Sequence, residues 1–284
     1  RVLFRSIILL NKGEISMKKK LSILLSMISC LLLMGCGNTE KTAENNVSTK
    51  TTETKEQVDL TISAAASLKE SMADIETLFS EKYPNIKLTF NFGSSGSLQQ
   101  QIEQGAPADV FISAGQTQMN ALKDGSLMVD DTCKDLVKNR LVLVGPSDTS
   151  ITSLNDLTND SVSKIAVGEP SSVPAGKYAD EVLKNSNIYD SVSSKLVFAK
   201  DVKEVLAWST SGNADVGFVY LSDAKSNNSA KIIETIPEDL HSPITYPVGV
   251  VKSTSHLDDA KSFVDFLYTD SAKSVFEKYG YSIA

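Results

Sequence analysis

The sequence has few of the residues that build metal centres or covalent cross-links. Of its three cysteines, Cys30 and Cys36 fall in an apolar N-terminal region, so Cys133 has no partner for an intramolecular disulfide in the rest of the chain. The only two histidines are His241 and His256. Without a cysteine pair to accompany them, we expect no zinc or other transition-metal site.

Motifs of hydrolases and nucleotide-binding proteins are also missing. Gly93-Ser94-Ser95-Gly96 does not have the spacing of a Gly-x-Ser-x-Gly nucleophile elbow, and both histidines lie in the last fifth of the chain. No Gly-Lys-Ser/Thr sequence ends this loop, so it is not a P-loop. The acids show no motif, and a pair of catalytic carboxylates remains an alternative. We predict that the protein is not an enzyme, and an exported serine hydrolase acting through Ser67 or Ser95 is the remote alternative.

Basic charge is scarce beyond the N-terminal region. Six basic residues and one acid occur up to Cys36, and the remaining 248 residues carry 22 basic and 34 acidic side chains, a net charge of −12. An acidic surface repels phosphate backbones, so we expect no nucleic-acid partner. The same charge is unfavourable for a small anionic ligand, and an anion site would have to depend on local hydrogen-bond donors.

Residues 17–36 have the pattern of an export signal. Met17 and three lysines precede an apolar stretch that is shorter than the roughly 20 residues needed to span a bilayer. Leu33-Met34-Gly35-Cys36 resembles a bacterial lipobox, so we predict a lipoprotein signal peptide over 17–35 and a lipid on Cys36. A plain secretory signal or an uncleaved anchor is the alternative. We interpret residues 1–16 as upstream of the translation start, because Lys12-Gly13-Glu14 can be encoded by a purine-rich ribosome-binding sequence.

The segment that follows the lipobox is polar. From Gly37 to Gln57 the only apolar residues are Ala43 and Val47. Such a composition cannot bury enough surface to offset the entropy of ordering the chain. We therefore predict a flexible tether over residues 36–57, between the lipid and a domain that begins near Val58.

Beyond the tether, short apolar segments alternate with helical ones, which predicts an α/β fold with largely parallel sheets. The predicted strands are 59–64, 86–92, 109–113, 141–144, 164–167, 195–198, 215–220, 231–235 and 246–251. The predicted helices are 67–82, 97–104, 116–124, 176–185, 201–210, 258–267 and 270–279. Apolar residues from Leu68 to Phe79 share one face of the first helix, and Ser67 and Glu70 predict a capping box at its start.

Several turns between a strand and a helix combine small residues with hydroxyl groups. Helix N-termini have unpaired N–H groups and a partial positive charge, so these turns could hold an anion. Each turn also has a purely structural interpretation, as a helix cap, a surface loop, a helix entry or a packing residue. The segments are Ala64-Ala65-Ala66-Ser67, Phe92-Gly93-Ser94-Ser95-Gly96-Ser97, Val173-Pro174-Ala175-Gly176-Lys177-Tyr178, Asp201-Val202-Lys203 and the strand end at Tyr220.

Taken in order, these segments resemble the molybdate-binding proteins of bacterial ABC importers. The resemblance extends from about residue 58 to 284. It depends on Ser63–Leu68, Gly93–Leu98, Gly105–Ala114, Ala166–Pro170, Val173–Gly176, Asp201-Val202, Gly217–Ala224 and Tyr246-Pro247-Val248. It implies a two-lobed periplasmic-binding-protein-like (type II) fold, with a mainly parallel sheet flanked by helices in each lobe and the ligand in the cleft. Lobe I would comprise 58–139 plus 245–284 and lobe II 140–244, with crossings near Asn139–Leu141 and Ser242–Tyr246.

The resemblance also implies which groups contact the oxyanion. These are the hydroxyl and N–H of Ser67 and of Ser95, the N–H groups of Ala175 and Val202, and the hydroxyl of Tyr220. Whether Ser94 or Ser95 faces the ligand stays open. All these groups are donors, which suits a fully deprotonated tetrahedral dianion. Hydrogen phosphate would need an acceptor, and none is expected in the site. Sulfate would be too small, and tungstate would fit as molybdate does.

The function implied by the resemblance is capture and delivery of a solute. We expect a monomeric, extracytoplasmic protein, anchored to the bacterial membrane by its N-terminal lipid, that passes molybdate or tungstate to the permease of an ABC importer. No cofactor is expected beyond this ligand. A tungstate-preferring or broader oxyanion receptor is the alternative within the same class, because the sequence does not rank the two ions.

Overall fold

The computed structural model describes residues 56–284. The predicted signal peptide, the lipidation site at Cys36 and nearly all of the predicted tether lie outside the described residues. The strands are β1 (Val58–Ala65), β2 (Ile86–Gly93), β3 (Val110–Ile112), β4 (Lys134–Lys138), β5 (Leu141–Gly145), β6 (Ile165–Gly168), β7 (Leu196–Ala199), β8 (Val216–Tyr220), β9 (Lys231–Thr235), β10 (Thr245–Val250) and β11 (Ser282–Ile283). The helices are α1 (Lys69–Lys82), α2 (Ser95–Glu103), α3 (Gln116–Asp124), α4 (Pro174–Asn185), α5 (Tyr189–Val192), α6 (Val202–Ser211), α7 (Leu221–Lys225), α8 (Leu257–Phe266) and α9 (Asp270–Lys278).

All the predicted strands and helices are present, with ends within two residues of those expected. The prediction missed β4, β11, α5 and α7. These elements are short, and β4 has charged residues at both ends and an acid in between, so it lacks the apolar run used to find the other strands. None of the helices described over residues 56–284 combines the length and apolar character needed to cross a membrane.

The described strands form two sheets. The order of the first is β11-β4-β10-β3-β1-β2, and the order of the second is β7-β6-β8-β5-β9. In the first sheet β1 to β4 share one direction, and in the second β6 to β9 do so. The expected parallel arrangement therefore holds for most strands, whereas β5, β10 and the short β11 run against their neighbours. The reversal follows from connectivity, because β5 and β10 each enter their sheet directly from the other one.

The chain passes between the sheets twice, from β4 to β5 and from β9 back to β10. The two links lie side by side, since the backbone N–H of Asn139 donates to the carbonyl of Ile244 at 3.0 Å. The division into lobes at these links stays a prediction. The topology nevertheless puts the carboxyl ends of β1, β2, β6 and β8 next to helix starts, where α/β folds commonly bind ligands.

The first helix shows how the apolar pattern determines packing. Met72, Ile75 and Phe79 are fully buried against the first sheet, as their spacing predicts. The Phe79 ring meets Phe263 of α8 edge to face, with ring centroids 5.2 Å apart. Burial of each such side chain contributes about 1.5–3 kcal/mol, so α1 is held firmly and its N-terminus has a fixed position.

Candidate functional site

A small cavity lies where turns from both sheets meet. It is lined by Ala65, Ala66, Ser67, Gly93, Ser94, Ser95, Ala114, Val173, Pro174, Ala175, Asp201, Val202 and Tyr220. The cavity is narrow and has room for one small molecule or ion. All five residues implied by the family resemblance are in this lining. Their contact with an anion stays a prediction.

Ser95 and Ser94 have different hydrogen-bond roles. Ser95 is the first residue of α2, and its hydroxyl oxygen accepts the N–H of Ala114 at 2.9 Å. Its proton is therefore free to donate into the cavity. Ser94 is the N-cap of α2, and its hydroxyl accepts the N–H of Ser97 and donates to the Ser97 hydroxyl. Ser95 is consequently the better candidate donor, a choice that the sequence left open.

The predicted capping box at Ser67 is wrong. A 3-10 turn over Ala66–Leu68 precedes α1, and the N-cap of α1 is Leu68, without a side-chain hydrogen bond. The Ser67 hydroxyl instead lies 2.9 Å from the hydroxyl of Tyr246, and Glu70 forms an ion pair elsewhere. These partners come from distant parts of the chain, so local sequence could not show that they compete with the cap. Ser67 nevertheless lines the cavity, as predicted.

Two helix starts supply backbone donors from the second sheet's side of the cavity. Ala175 is the second residue of α4, after Pro174, and Val202 is the first residue of α6. N–H groups in a first helical turn have no acceptor within the helix, and the helix dipole adds partial positive charge there. Both N–H groups are therefore suitable donors for an anion.

Tyr220 ends β8 and is almost completely buried. Its hydroxyl makes a long contact, 3.5 Å, with the carbonyl of Ala114. Burial raises the pKa of Tyr220 well above its ordinary value, so the hydroxyl remains protonated. It can therefore act as a donor at any physiological pH.

The lining contains no lysine, arginine or histidine among the described residues, but it does contain an acid. The expectation that the site holds no acceptor was wrong in this respect, because Asp201 lines the cavity. The carboxylate of Asp201 accepts the N–H of Glu204 at 2.9 Å and caps α6. Asp201 caps the helix that begins at Val202, so the two residues lie at the same helix start. The proximity of the two residues in the sequence was therefore the available sign that an acid lies near the proposed site.

Contacts between elements of the two sheets close the cavity. The N–H of Gly96 in α2 donates to the carbonyl of Ser172 at 2.9 Å, just before α4. Lys203 in α6 lies 2.5 Å from the carboxylate of Glu70 in α1. Its ammonium group is also 2.8 Å from the buried carboxylate of Asp223. Burial alone would lower the pKa of Lys203, but the two acids raise it above the ordinary value, so the lysine stays charged.

A family model and individual relatives assign the chain to the same kind of protein. The family model "Bacterial extracellular solute-binding protein" matches residues 60–282. "Putative ABC transporter substrate-binding lipoprotein YvgL" of Bacillus subtilis is 39% identical, over 94% of this chain and 99% of its own. "Molybdate-binding protein ModA" of Escherichia coli is also 39% identical, over 79% of this chain and 89% of its own.

A solved structure extends the similarity to the fold. The "substrate binding domain of putative molybdenum ABC transporter from Clostridium difficile" is 60% identical, with a TM-score of 0.64, and the match covers 80% of this chain and all of that one. Together with the family model, which covers most of the sequence, this places the two helix-flanked sheets in the fold that the sequence predicted. The chain belongs to the bacterial extracellular solute-binding protein family.

Proposed function

We propose that this protein captures molybdate outside the cytoplasm and delivers it to the permease of an ABC importer, and that it also binds tungstate. One observation carries the proposal: the five residues implied by the family resemblance, far apart in the sequence, line a single small cavity. Their hydroxyl and backbone N–H groups are all donors. The names of the Escherichia coli and Clostridium difficile proteins support the same ligand.

The charge of the lining fits a fully deprotonated oxyanion. Hydroxyl and N–H groups at helix starts stabilise a dianion without a cationic side chain, and water can solvate them when the site is empty. Hydrogen phosphate carries a proton that needs an acceptor. The Asp201 carboxylate is the one acid in the lining, and one of its oxygens caps α6 by accepting the N–H of Glu204. Because the five proposed contacts are all donors, we expect phosphate to bind weakly.

The dimensions of the cavity favour a small inorganic ion. The cavity is too narrow in this structure for an organic metabolite. Sulfate has shorter bonds to oxygen than molybdate, so a rigid set of donors closes around it less well. Tungstate has nearly the dimensions of molybdate and is expected to bind similarly.

We also propose that the protein is not an enzyme. A serine nucleophile needs a general base within hydrogen-bond reach. The hydroxyl of Ser67 meets a tyrosine hydroxyl and that of Ser95 accepts a backbone N–H. Neither partner is a base at neutral pH, because burial keeps Tyr246 protonated.

Membrane attachment is a further part of the proposal. The lipobox-like sequence ending at Cys36 and the lipoprotein name of the Bacillus subtilis relative support a lipid on this cysteine. The protein would then act as a monomer tethered to the outer face of the membrane. Mass spectrometry of the exported protein should find an acylated N-terminal cysteine at position 36.

Calorimetric titration of the mature protein with molybdate, tungstate, sulfate and phosphate tests the ligand assignment. We expect one molybdate or tungstate ion per chain, bound at micromolar concentration or below. Sulfate and phosphate should bind at least about 100-fold more weakly, a difference of roughly 2.7 kcal/mol. Absence of molybdate binding at micromolar concentration would contradict the proposal. Preferential binding of tungstate would favour the alternative receptor.

A further inference from the structure

A chain of buried hydrogen bonds leads from the cavity to the links between the sheets. The hydroxyl of Tyr246, in β10, lies 2.9 Å from the Ser67 hydroxyl and 3.3 Å from the side-chain nitrogen of Asn139. Tyr246 is completely buried and Asn139 nearly so. Asn139 lies in the first link, and its amide also reaches the hydroxyl of Ser222, at the start of α7, at 2.9 Å.

The orientation of the Asn139 amide is fixed by its neighbours. Its side-chain oxygen accepts the backbone N–H of Arg140 at 2.9 Å. The nitrogen, Nδ2, is therefore the atom that faces Tyr246 and Ser222. An amide nitrogen only donates, so the Tyr246 oxygen must accept in this contact.

This orientation determines the direction of the next hydrogen bond. Over residues 56–284 the Ser67 hydroxyl oxygen, at 2.9 Å, is the nearest acceptor recorded for the Tyr246 hydroxyl. If Ser67 donated to Tyr246 instead, the buried tyrosine proton would lose this acceptor, which is unfavourable. Tyr246 therefore donates to Ser67, and the proton of Ser67 is left to point at the cavity.

The second serine of the site is arranged in the same way. The N–H of Ala114 donates to the Ser95 oxygen at 2.9 Å, so the Ser95 proton is also directed away from its neighbour. The backbone N–H of Ala114 orients the Ser95 hydroxyl, and Tyr246, which is held by Asn139, orients the Ser67 hydroxyl. Both hydroxyls are then donors toward a ligand.

We propose that Tyr246 and Asn139 are positioning residues that hold the Ser67 hydroxyl as a donor and thereby make the site select a fully deprotonated oxyanion over a protonated one. The inference rests on the proposed function and adds two residues outside the cavity lining to its specificity. Burial raises the pKa of Tyr246 well above its ordinary value, so its proton is retained at physiological pH. Edge-to-face contacts with Tyr220 and Tyr281, at 5.6 and 5.5 Å, hold the ring in place.

The test replaces Tyr246 by phenylalanine and compares the affinities for molybdate and phosphate. Without the tyrosine proton, the Ser67 hydroxyl can rotate and accept a hydrogen bond from the proton of hydrogen phosphate. We expect Tyr246→Phe to weaken molybdate binding about tenfold, close to the loss of one charge-assisted donor. Phosphate binding, measured by competition, should stay unchanged or improve. The ratio of the two affinities should therefore fall about tenfold.

Tyr281→Phe is the matched control. The Tyr281 hydroxyl is also buried and donates to the backbone carbonyl of Ser67 at 2.9 Å, so its removal leaves the contact between Tyr246 and the Ser67 hydroxyl in place. This variant should lose stability to a similar degree and keep the affinity ratio of the wild type. Equal changes of the ratio in both variants would show a general structural effect and would overturn the inference.

A double-mutant cycle with Ser67→Ala tests whether Tyr246 changes the affinity ratio through the Ser67 hydroxyl. If Tyr246 acts through the Ser67 hydroxyl, adding Tyr246→Phe to Ser67→Ala should not change the affinity ratio further. A full tenfold change in that background would overturn the inference. If Tyr246→Phe does not fold, Asn139→Ala replaces it, because it removes the donor that fixes Tyr246 and should also lower the ratio; an unchanged ratio would overturn the inference.

The wild type separates this inference from the proposed function. Absence of molybdate binding by the wild type would contradict the proposed function and the inference together. Molybdate binding by the wild type with an unchanged ratio in Tyr246→Phe would contradict the inference alone.

Discussion

The ammonium group of Lys203 in α6 lies 2.5 Å from the carboxylate of Glu70 in α1, and this ion pair joins elements that flank different sheets. It borders the cavity, because Val202 is the neighbour of Lys203 and Ser67 lies one turn before Glu70. Both side chains are partly exposed, so the pair contributes only about 1 kcal/mol. In a two-lobed protein that closes on its ligand, as we propose for this one, that is enough to change the equilibrium between closed and open forms several-fold.

We expect Glu70→Gln to weaken molybdate binding about threefold to fivefold through faster release, with little change in the free energy of unfolding. The variant leaves Lys203 paired with the buried Asp223, whereas Lys203→Ala would strand that acid and cost about 3–5 kcal/mol. Stopped-flow measurement of the release rate tests this. Asp74→Asn is the control, since Asp74 is on the same helix but pairs with Lys278 of α9, beside the first sheet. Equal effects of Glu70→Gln and Asp74→Asn on the release rate would contradict a role of the Glu70–Lys203 ion pair in closure.

Gly96→Ala should oppose the approach of the two sides of the cavity. A Cβ atom at Gly96 would lie 2.5 Å from the carbonyl oxygen of Ser172, which is backbone on the other side. We expect molybdate affinity to fall at least about tenfold. The approach of the two sides then needs a backbone shift that costs about 1 kcal/mol or more. Thermal unfolding without ligand should change little, since an open form removes the clash.

The control for this variant is Gly125→Ala. Gly125 ends α3 in a right-handed helical conformation, and a Cβ atom there meets its nearest neighbour at 3.4 Å, an ordinary contact. Its molybdate affinity should equal that of the wild type. Full affinity in Gly96→Ala would show that the closed approach is not needed for binding.

The two serines of the α2 turn should respond differently to alanine. Ser95→Ala removes a donor toward the cavity, so we expect molybdate affinity to fall at least about tenfold. Ser94→Ala removes the cap of α2 and should lower the free energy of unfolding by about 1 kcal/mol while molybdate affinity is retained. Calorimetry and urea unfolding of both variants test this. The reverse pattern would assign the contact to Ser94.

Sequence reasoning predicted the elements and the cavity lining better than it predicted hydrogen-bond partners. The segments that contain Ser67, Ser95 and Val202 stand out because helix starts combine small residues and hydroxyl groups with apolar periodicity, and the family resemblance then implied the individual residues. The partner of Ser67 was missed because Tyr246 is 179 residues away and belongs to a strand that returns from the other sheet. Local pattern has no information on such a contact.

Asp201 was not expected in the site. It is the N-cap of α6, so it lies at the same helix start as Val202. That this helix start faces α1 and α2 is a tertiary property, which the local sequence does not give. The antiparallel insertion of β5 and β10 has the same origin, since strand order is not written in the strand sequences.

Acid should weaken the fold partly through Asp215, the residue before β8. Burial alone would raise its pKa, but its carboxylate accepts the N–H groups of Ser163 and Lys164 and the Ser163 hydroxyl, at 2.7–3.0 Å, and the net pKa is lowered. A carboxyl group with a lowered pKa stabilises the fold above its unfolded value, about 3.9, and loses this contribution as pH falls through the lower folded value.

We therefore expect Asp215→Asn to cost about 1 kcal/mol of unfolding free energy at pH 7, a low value because the carboxylate is partly exposed. The difference from the wild type should shrink below about pH 4. Urea unfolding at pH 7 and pH 3 measures it. Asp160→Asn removes an equal charge from an exposed position and should leave the free energy of unfolding at pH 7 nearly unchanged. A constant difference for Asp215→Asn would contradict the assignment.

The position of β10 has a consequence for the order in which the chain folds. This strand lies between β3 and β4 inside the first sheet, yet it is formed by residues near the end of the chain. The second sheet, by contrast, is one continuous segment from β5 to β9. During synthesis or export from the N-terminus, the second sheet can therefore complete its pairing first, while the first sheet has to wait for the last forty or so residues. Ser67 then gains its Tyr246 partner only when nearly the whole protein has emerged.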